Sequence, residues 1–204
     1  IIKSQVNALR SNHTLFASNA EHKLQVVIDI SRDLGRTLEM QPLLQKLLEQ
    51  LFQLFPQADR GLIILCDKDS YVPAAQLTRN PGSVSASLTN EVDPEDLPFS
   101  RTLIRRALED GLSLLSEDVN RDLNMPHTET MMSLNLRTLM CVPLLGLDRQ
   151  HLGVMQLDSS RAGNEFSQED LELLTALGLQ VSGVLENAKL HETLTPAERR
   201  RPEL

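Results

Sequence analysis

Two cysteines and five histidines are the side chains in this 204-residue sequence best suited to nucleophilic, redox or soft metal-ligand chemistry. Cys66 ends the run "LIILC" and Cys141 lies inside "RTLMCVPLL". Neither has C-x-x-C spacing, and two cysteines cannot build a disulfide framework. A reactive thiol needs positive charge or a helix N-terminus beside it. Cys141 has Met140 and Val142 as neighbours and Arg137 four positions away, so it reads as a buried packing thiol. The histidines are scattered, with no pair at helical ligand spacing. The acidic run "EVDPEDLP" holds two prolines and reads as solvated loop in preference to a cation cradle. The sequence lacks a G-x-x-x-x-G-K-[ST] phosphate loop, a G-x-G-x-x-G turn, an H-E-x-x-H helix and a G-x-S-x-G elbow. No catalytic residue and no metal site is therefore expected, and the cofactor is left unknown.

These residues sit in a chain that can bury a core. Hydrophobic residues make up 41%, while aromatic residues reach only 3%, so Leu, Val, Ile and Met must fill the interior. Sparse aromatics leave few stacking platforms for bases, and 28 acidic against 20 basic residues give a net charge of −8 that repels phosphate backbones. Nucleic acid is not an expected partner. The basic cluster Arg199, Arg200 and Arg201 reads as a solvated tail. No apolar run approaches the roughly 20 residues of a membrane helix, and no signal-peptide pattern opens the chain. With Ile as its first residue, the sequence is expected to be a piece of a longer protein, with no membrane contact within this segment and a cytoplasmic location.

The elements follow from hydrophobic period. Residues 1–20 show a weak seam of Ile2, Val6, Leu9, Phe16 and Ala20 broken by Ser, Asn and His, which reads as a linker, in part helical. Leu24, Val27, Ser31, Leu34 and Leu38 recur at steps of three and four, predicting an amphipathic helix. A second helix over "MQPLLQKLLEQLFQLFPQAD" has Pro42 in its first turn and buries Leu44, Leu47, Leu48, Leu51 and Phe55. Leu62 to Cys66, the break "DKDS" and a run from Tyr71 predict a hairpin. Residues 80–100 read as loop, "FSRTLIRRALEDG" as a helix closed by Gly111, and Leu112 to Leu115 as a short strand. Thr138 to Leu145 and His151 to Asp158 form a second predicted hairpin, in which Pro143 marks a bulge, a strand end or an unpaired position. The final helix starts at a capping box of Ser167 and Asp170, and its small residues Gly178 and Gly183 would admit another helix. Together these give an α+β fold with an antiparallel sheet flanked by helices.

In their order, the segments "RTLMCVPLLGLDRQHLGVMQLDSS", "FSQEDLELLTALGLQVSGVLENAKL" and "DISRDLGRTLEMQPLLQKLLEQLFQLFPQADRGLIIL" resemble a GAF domain over residues 21 to 191. Residues 1–20 would then be a linker from an upstream region and 192–204 a tail or linker to a downstream one. More narrowly, "FPQADRGLIIL", "SRTLIRRALEDG" and "RTLMCVPLL" resemble GAF domains that follow forkhead-associated domains in bacterial signalling proteins. The resemblance implies a GAF-like, PAS-related antiparallel sheet of about six strands, with N- and C-terminal helices packing together. It implies a non-catalytic sensory or regulatory module that binds a small molecule, forms a homodimer through its terminal helices, or does both, and signals to flanking domains. It also implies a pocket under the irregular segment Ser116 to Leu136, with Asp118, Asn120, His127, Met131, Arg137, Met140 and Val154 as candidate lining residues. Leu24, Val27, Leu34, Leu38, Leu174, Val181 and Leu185 are the candidate dimer and helix seam, some of them serving the core of the single chain.

Specialised members of the family offer further comparisons. The cyclic-nucleotide pattern is half present: Asn164, Phe166 and Asp170 stand in place, but Glu165 directly follows the Asn, the Lys is missing and Leu171 replaces the final Glu. Phe166 and Asp170 are better read as a core residue and a capping acid. Bilin attachment would need a Cys beside His127, and haem would need His127 as an axial ligand. The free methionine sulfoxide reductases rely on clustered cysteines, a clustering not recognisable here. A ligand-free dimerisation spacer is the alternative to the sensor.

Overall fold

The computed structural model describes residues 2–7, 20–34, 40–67, 70–79, 101–117, 137–160 and 165–198. In chain order these form β1 (Ile2–Asn7), α1 (Ala20–Leu34), α2 (Met40–Leu54), β2 (Arg60–Asp67), β3 (Ser70–Thr78), α3 (Arg101–Asp110), β4 (Leu112–Glu117), β5 (Thr138–Leu145), β6 (His151–Ser159) and α4 (Gln168–Glu198). The strands make one antiparallel six-stranded sheet in the order β1-β4-β5-β6-β2-β3.

Both predicted hairpins form. In β2–β3, Arg60 pairs with Thr78 and Asp67 with Ser70. In β5–β6, Thr138 pairs with Ser159 and Leu145 with His151, leaving Leu152 as an extra residue in the register. Their tight turn at Gly146 is closed by the Gln150 carbonyl accepting from the Gly146 N–H at 2.9 Å. The β4–β5 ladder ends at the Leu114–Cys141 pair, so Pro143 lies beyond it and its missing N–H interrupts no rung with β4.

Alternation along the central strands sorts two cores. Met140, Val142, Leu144, Met155 and Leu157 face a layer built from α1, α2 and α4, which contributes Ile30, Leu47, Leu51, Leu174 and Val181. Leu139, Cys141, Leu145, Leu62 and Ile64 face α3 and its Leu103, Ile104, Ala107 and Leu108. Helix α3 ends where Gly111 takes a φ of +63°, a conformation that glycine adopts without steric cost.

The capping box reads as predicted. Asp170 Oδ2 accepts from the Ser167 N–H at 2.9 Å, and Ser167 Oγ accepts from the Asp170 N–H at 3.2 Å. Gln57 Nε2 donates to the same carboxylate at 3.1 Å, tying the start of α4 to the α2–β2 connection. Phe166 is buried in the core beside it. Helix α1 packs on α2 and α4, and Ser31 Oγ meets Gln180 Oε1 at 2.5 Å, so the first and last helices do pack together.

Two local expectations fail. Ile2–Asn7, expected within a linker, is an edge strand antiparallel to β4. Its two widely spaced apolar residues carry little periodic signal, and its stability as a strand comes from a partner more than 100 residues away. Gly178 admits the sheet, not a helix: a Cβ there would lie 2.7 Å from Val142 Cγ1. Around Gly183 nothing lies within 4 Å of the corresponding position.

Candidate functional site

The α3 side of the sheet carries an unusual polar row. Arg60 sits opposite Asp158 on β6 and Thr78 on β3, while Asp158 sits opposite Leu139, itself opposite Ser116 on β4. The next row along the strands is Leu114, Cys141, Gln156, Leu62 and Gln76. Because Leu62, Leu139 and Cys141 belong to the α3 core, the polar members of both rows share that face.

Arg60 and Asp158 form a buried ion pair, 5% and 1% exposed. Both the Nε and Nη2 donors of Arg60 converge on Asp158 Oδ2, the Nε bond measuring 2.6 Å. Asp158 Oδ1 accepts from Gln156 Nε2 at 2.9 Å. A carboxylate paired to a guanidinium only accepts, so it fixes the Gln156 amide with its nitrogen toward Asp158. The Gln156 carbonyl oxygen is left buried without a hydrogen-bond partner. Gln76 Oε1, in the same row across Leu62, is in the same condition. Ser159 Oγ is unpartnered too, but strand alternation turns it to the opposite face, with Thr138. Burial without a partner costs a polar atom about 1–3 kcal/mol, so these acceptors mark where the face is chemically incomplete.

The end of this row is clamped. Asp59 Oδ2 accepts from both the Ser160 N–H at 2.9 Å and its hydroxyl at 2.7 Å, and the Asp59 N–H donates to the Asp158 carbonyl at 2.8 Å. Beyond Ser160 the chain reaches α4, whose entry is pinned to β5 by the Phe166 N–H donating to Thr138 Oγ1 at 3.5 Å.

Cys141 is wholly buried, and desolvation, with Asp158 adding like-charge repulsion, pushes its thiol up to about 12. It is a packing thiol at neutral pH. Cys66 lies on β2, two strands from β5. Two inter-strand spacings alone put the two Cα atoms at least ~9 Å apart, beyond disulfide reach. Among the described residues no group of three or more His, Cys, Asp or Glu could hold a metal ion.

Three of the seven candidate pocket residues, Arg137, Met140 and Val154, fall among the described residues. Asp118, Asn120, His127 and Met131 lie outside the described residues, as does the acidic run at 91–98. Arg137 is exposed just before β5, its N–H donating to the Ser159 carbonyl at 2.8 Å. Met140 faces the α2–α4 core and Val154 the α3 core, so one pocket cannot have both as walls. The extra residue at Leu152 shifts the face parity of β6, which sequence alternation alone could not register. Arg60, Gln76, Gln156 and Asp158 were not anticipated. The available signal was a Gln and an Asp inside the otherwise apolar run "LGVMQLDS", since a polar residue buried in a central strand demands a partner.

Among the seam residues, Leu174, Val181 and Leu185 are fully buried in the core of the single chain, and Val27 packs against it. Leu24 is 48% exposed, with Ile28 at 42% one turn later. Leu34 closes α1, its side chain outside the described residues, and Leu38 lies outside them altogether.

Among the described residues, a six-stranded antiparallel sheet with a layer of α1, α2 and α4 on one face and α3 beside a polar row on the other defines an α+β domain. This chain belongs to the GAF domain family, whose profile matches residues 37–186 and so takes in β2 to β6; β1 is the additional strand. No curated protein matches it. Among solved structures, the GAF domain of a phosphoenolpyruvate-protein phosphotransferase from Coxiella burnetii superposes with a TM-score of 0.65 at 17% identity, covering 86% of this chain and 99% of that one. The free methionine-R-sulfoxide reductase of Neisseria meningitidis, in complex with its substrate, gives 0.62 at 20% identity, covering 89% and 99%. A GAF domain assigned to a sensor histidine kinase of Pseudomonas syringae pv. tomato gives 0.56 at 20% identity, covering 87% and 94%. At these identities the likeness carries the fold, which regulatory domains and an enzyme share.

Proposed function

We propose that this chain is a non-catalytic sensory or regulatory module of a larger cytoplasmic signalling protein. It binds a small molecule on the α3 side of the sheet and relays binding through its terminal helices, which join it to a second copy and to flanking domains. The forkhead-associated context suggested by "FPQADRGLIIL" and "RTLMCVPLL" belongs to the same reading. The observation that carries it is the Arg60–Asp158–Gln156 chain, a buried polar assembly ending in an unpartnered acceptor on the face away from the helical layer. A ligand there can signal only by favouring one of two helix arrangements. Support for a route comes from β6, which precedes α4 in the chain, and from the buried Thr175 hydroxyl of α4, which donates to the Leu171 carbonyl at 2.6 Å and can accept from the Ser113 hydroxyl of β4 at 2.7 Å.

Against a reductase stand the buried Cys141 and its distance from Cys66. Among the described residues, no helix is long and apolar enough to cross a membrane. A ligand-free dimerisation spacer is the second reading, favoured by α3 filling the apolar rows around Leu62, Ile64 and Val154. A thermal-shift screen of metabolites and nucleotides, combined with sedimentation velocity, tests the two. Stabilisation by a ligand that is lost in Gln156→Met supports the sensor; a dimer that no compound stabilises supports the spacer.

A further inference from the structure

We propose that the ligand of the polar row is a neutral molecule presenting an N–H donor, of the carboxamide or urea type, and not a carboxylate or phosphate. This inference rests on the sensor reading above and specifies its chemistry. Three observations carry it. The described cation of the row, Arg60, directs two donors to Asp158, so its charge is already matched. On this face the described buried side-chain atoms left without partners are both carbonyl oxygens, Gln156 Oε1 and Gln76 Oε1, and an acceptor is completed only by a donor. The Gln156 orientation cannot reverse to offer its amide hydrogens, because that would set its carbonyl oxygen against Asp158 Oδ1, where Nε2 now donates at 2.9 Å.

Gln76 is held more loosely, its Nε2 lying 3.5 Å from Thr78 Oγ1. The two glutamines flank Leu62 in one row, with backbones two strand spacings, roughly 10 Å, apart. Leu62 and Gln156 are wholly buried, with Leu62 packed under α3, so a planar ligand reaching Gln156 with its donor takes the place of part of the α3 cover over that row. An anion would meet the carboxylate and two carbonyl oxygens, with no unmatched cation among the described residues of the row to offset its desolvation.

The test uses three ring compounds of one shape: benzamide as neutral donor, methyl benzoate as neutral non-donor and benzoate as anion. Each is titrated into the isotopically labelled 204-residue chain while the Gln156 side-chain amide and the β2 and β6 backbone signals are followed by NMR. Benzamide is expected to shift these signals and to bind at least about tenfold more tightly than either other compound, a difference of one hydrogen-bond donor. Gln156→Met, which keeps length and removes the acceptor, is expected to abolish that preference. Gln76→Met, expected to weaken benzamide about threefold, provides the same readout if Gln156→Met does not fold. Equal or tighter binding of benzoate or methyl benzoate at the same signals overturns the donor inference and leaves the sensor reading standing. Failure of all three to shift β2 and β6 overturns the donor inference, and a metabolite screen without a hit then removes the sensor reading separately.

Discussion

Gln156 and Asp158 stand on the same face of β6, two residues apart, and the side-chain amide of the first donates to the carboxylate of the second at 2.9 Å. The bond joins an ion pair to an acceptor with no partner of its own. It makes β6 both a structural strand and the most chemically loaded element among those described.

The ion pair itself is the first point to test. Asp158→Ala removes the carboxylate while the Arg60 charge stays buried, and breaking such a pair is expected to destabilise the fold by about 3–5 kcal/mol. Replacing both partners, Arg60→Met with Asp158→Leu, should recover most of that loss, because neither desolvated charge remains. Urea denaturation midpoints compare the variants. A loss below about 1 kcal/mol for Asp158→Ala would show that the pair is not held as described.

The pair also shows where sequence reading stops. Helix α2, the two hairpins and the α4 cap could be read directly, because each is specified by local period, Pro42, turn residues or a three-residue side-chain link. Arg60 and Asp158 are 98 positions apart, and only sheet register brings them together. Strand β1 escaped for the same reason, since an edge strand is made by its neighbour. Register likewise separated Met140 from Val154, and Gly178 from the helix it had been expected to meet. In the expected seam, periodicity marked the buried stripe of α4 correctly but could not distinguish burial against the sheet from burial against a second copy.

The buried thiol gives a pH signature. Cys141 is raised from 9.0 to about 12 by burial first and by Asp158 second. An acid whose folded value lies above its unfolded one leaves stability intact below the unfolded value and erodes it above. Stability should therefore fall as pH rises from 9.0 towards 12, and Cys141→Ala should flatten that slope. In the native protein at neutral pH, iodoacetamide should modify the half-buried Cys66 and spare Cys141, as peptide mass mapping would read. Rapid native labelling of Cys141 would refute its burial.

The two glycines of α4 should respond in opposite directions. Gly178→Ala places a methyl 2.7 Å from Val142 Cγ1, and Val142 is buried and β-branched, so it has little room to turn. A loss of about 1–3 kcal/mol is expected from this overpacking. Gly183→Ala enters open space within a helix and should gain up to about 1 kcal/mol. Thermal unfolding of both variants checks the pair of signs. If Gly183→Ala instead loses stability in a concentration-dependent way, that side of α4 lies in a contact between copies.

The dimer prediction turns on α1. Leu24 and Ile28 stand one helical turn apart on the same side, 48% and 42% exposed, while Val26 and Ile30 face the core. An apolar pair left in water on a terminal helix is where a second copy would gain most from burial. Leu24→Glu with Ile28→Glu should leave the stability of the single chain within about 0.5 kcal/mol, since neither side chain is buried there. The same double change should shift sedimentation from dimer to monomer by placing two charges in the contact. Leu185→Ala is the contrasting variant: fully buried against the sheet, it should lose about 2–5 kcal/mol of stability without a direct effect on assembly. A dimer that survives both glutamates, or a wild-type chain already monomeric at micromolar concentration, would move the assembly surface away from α1.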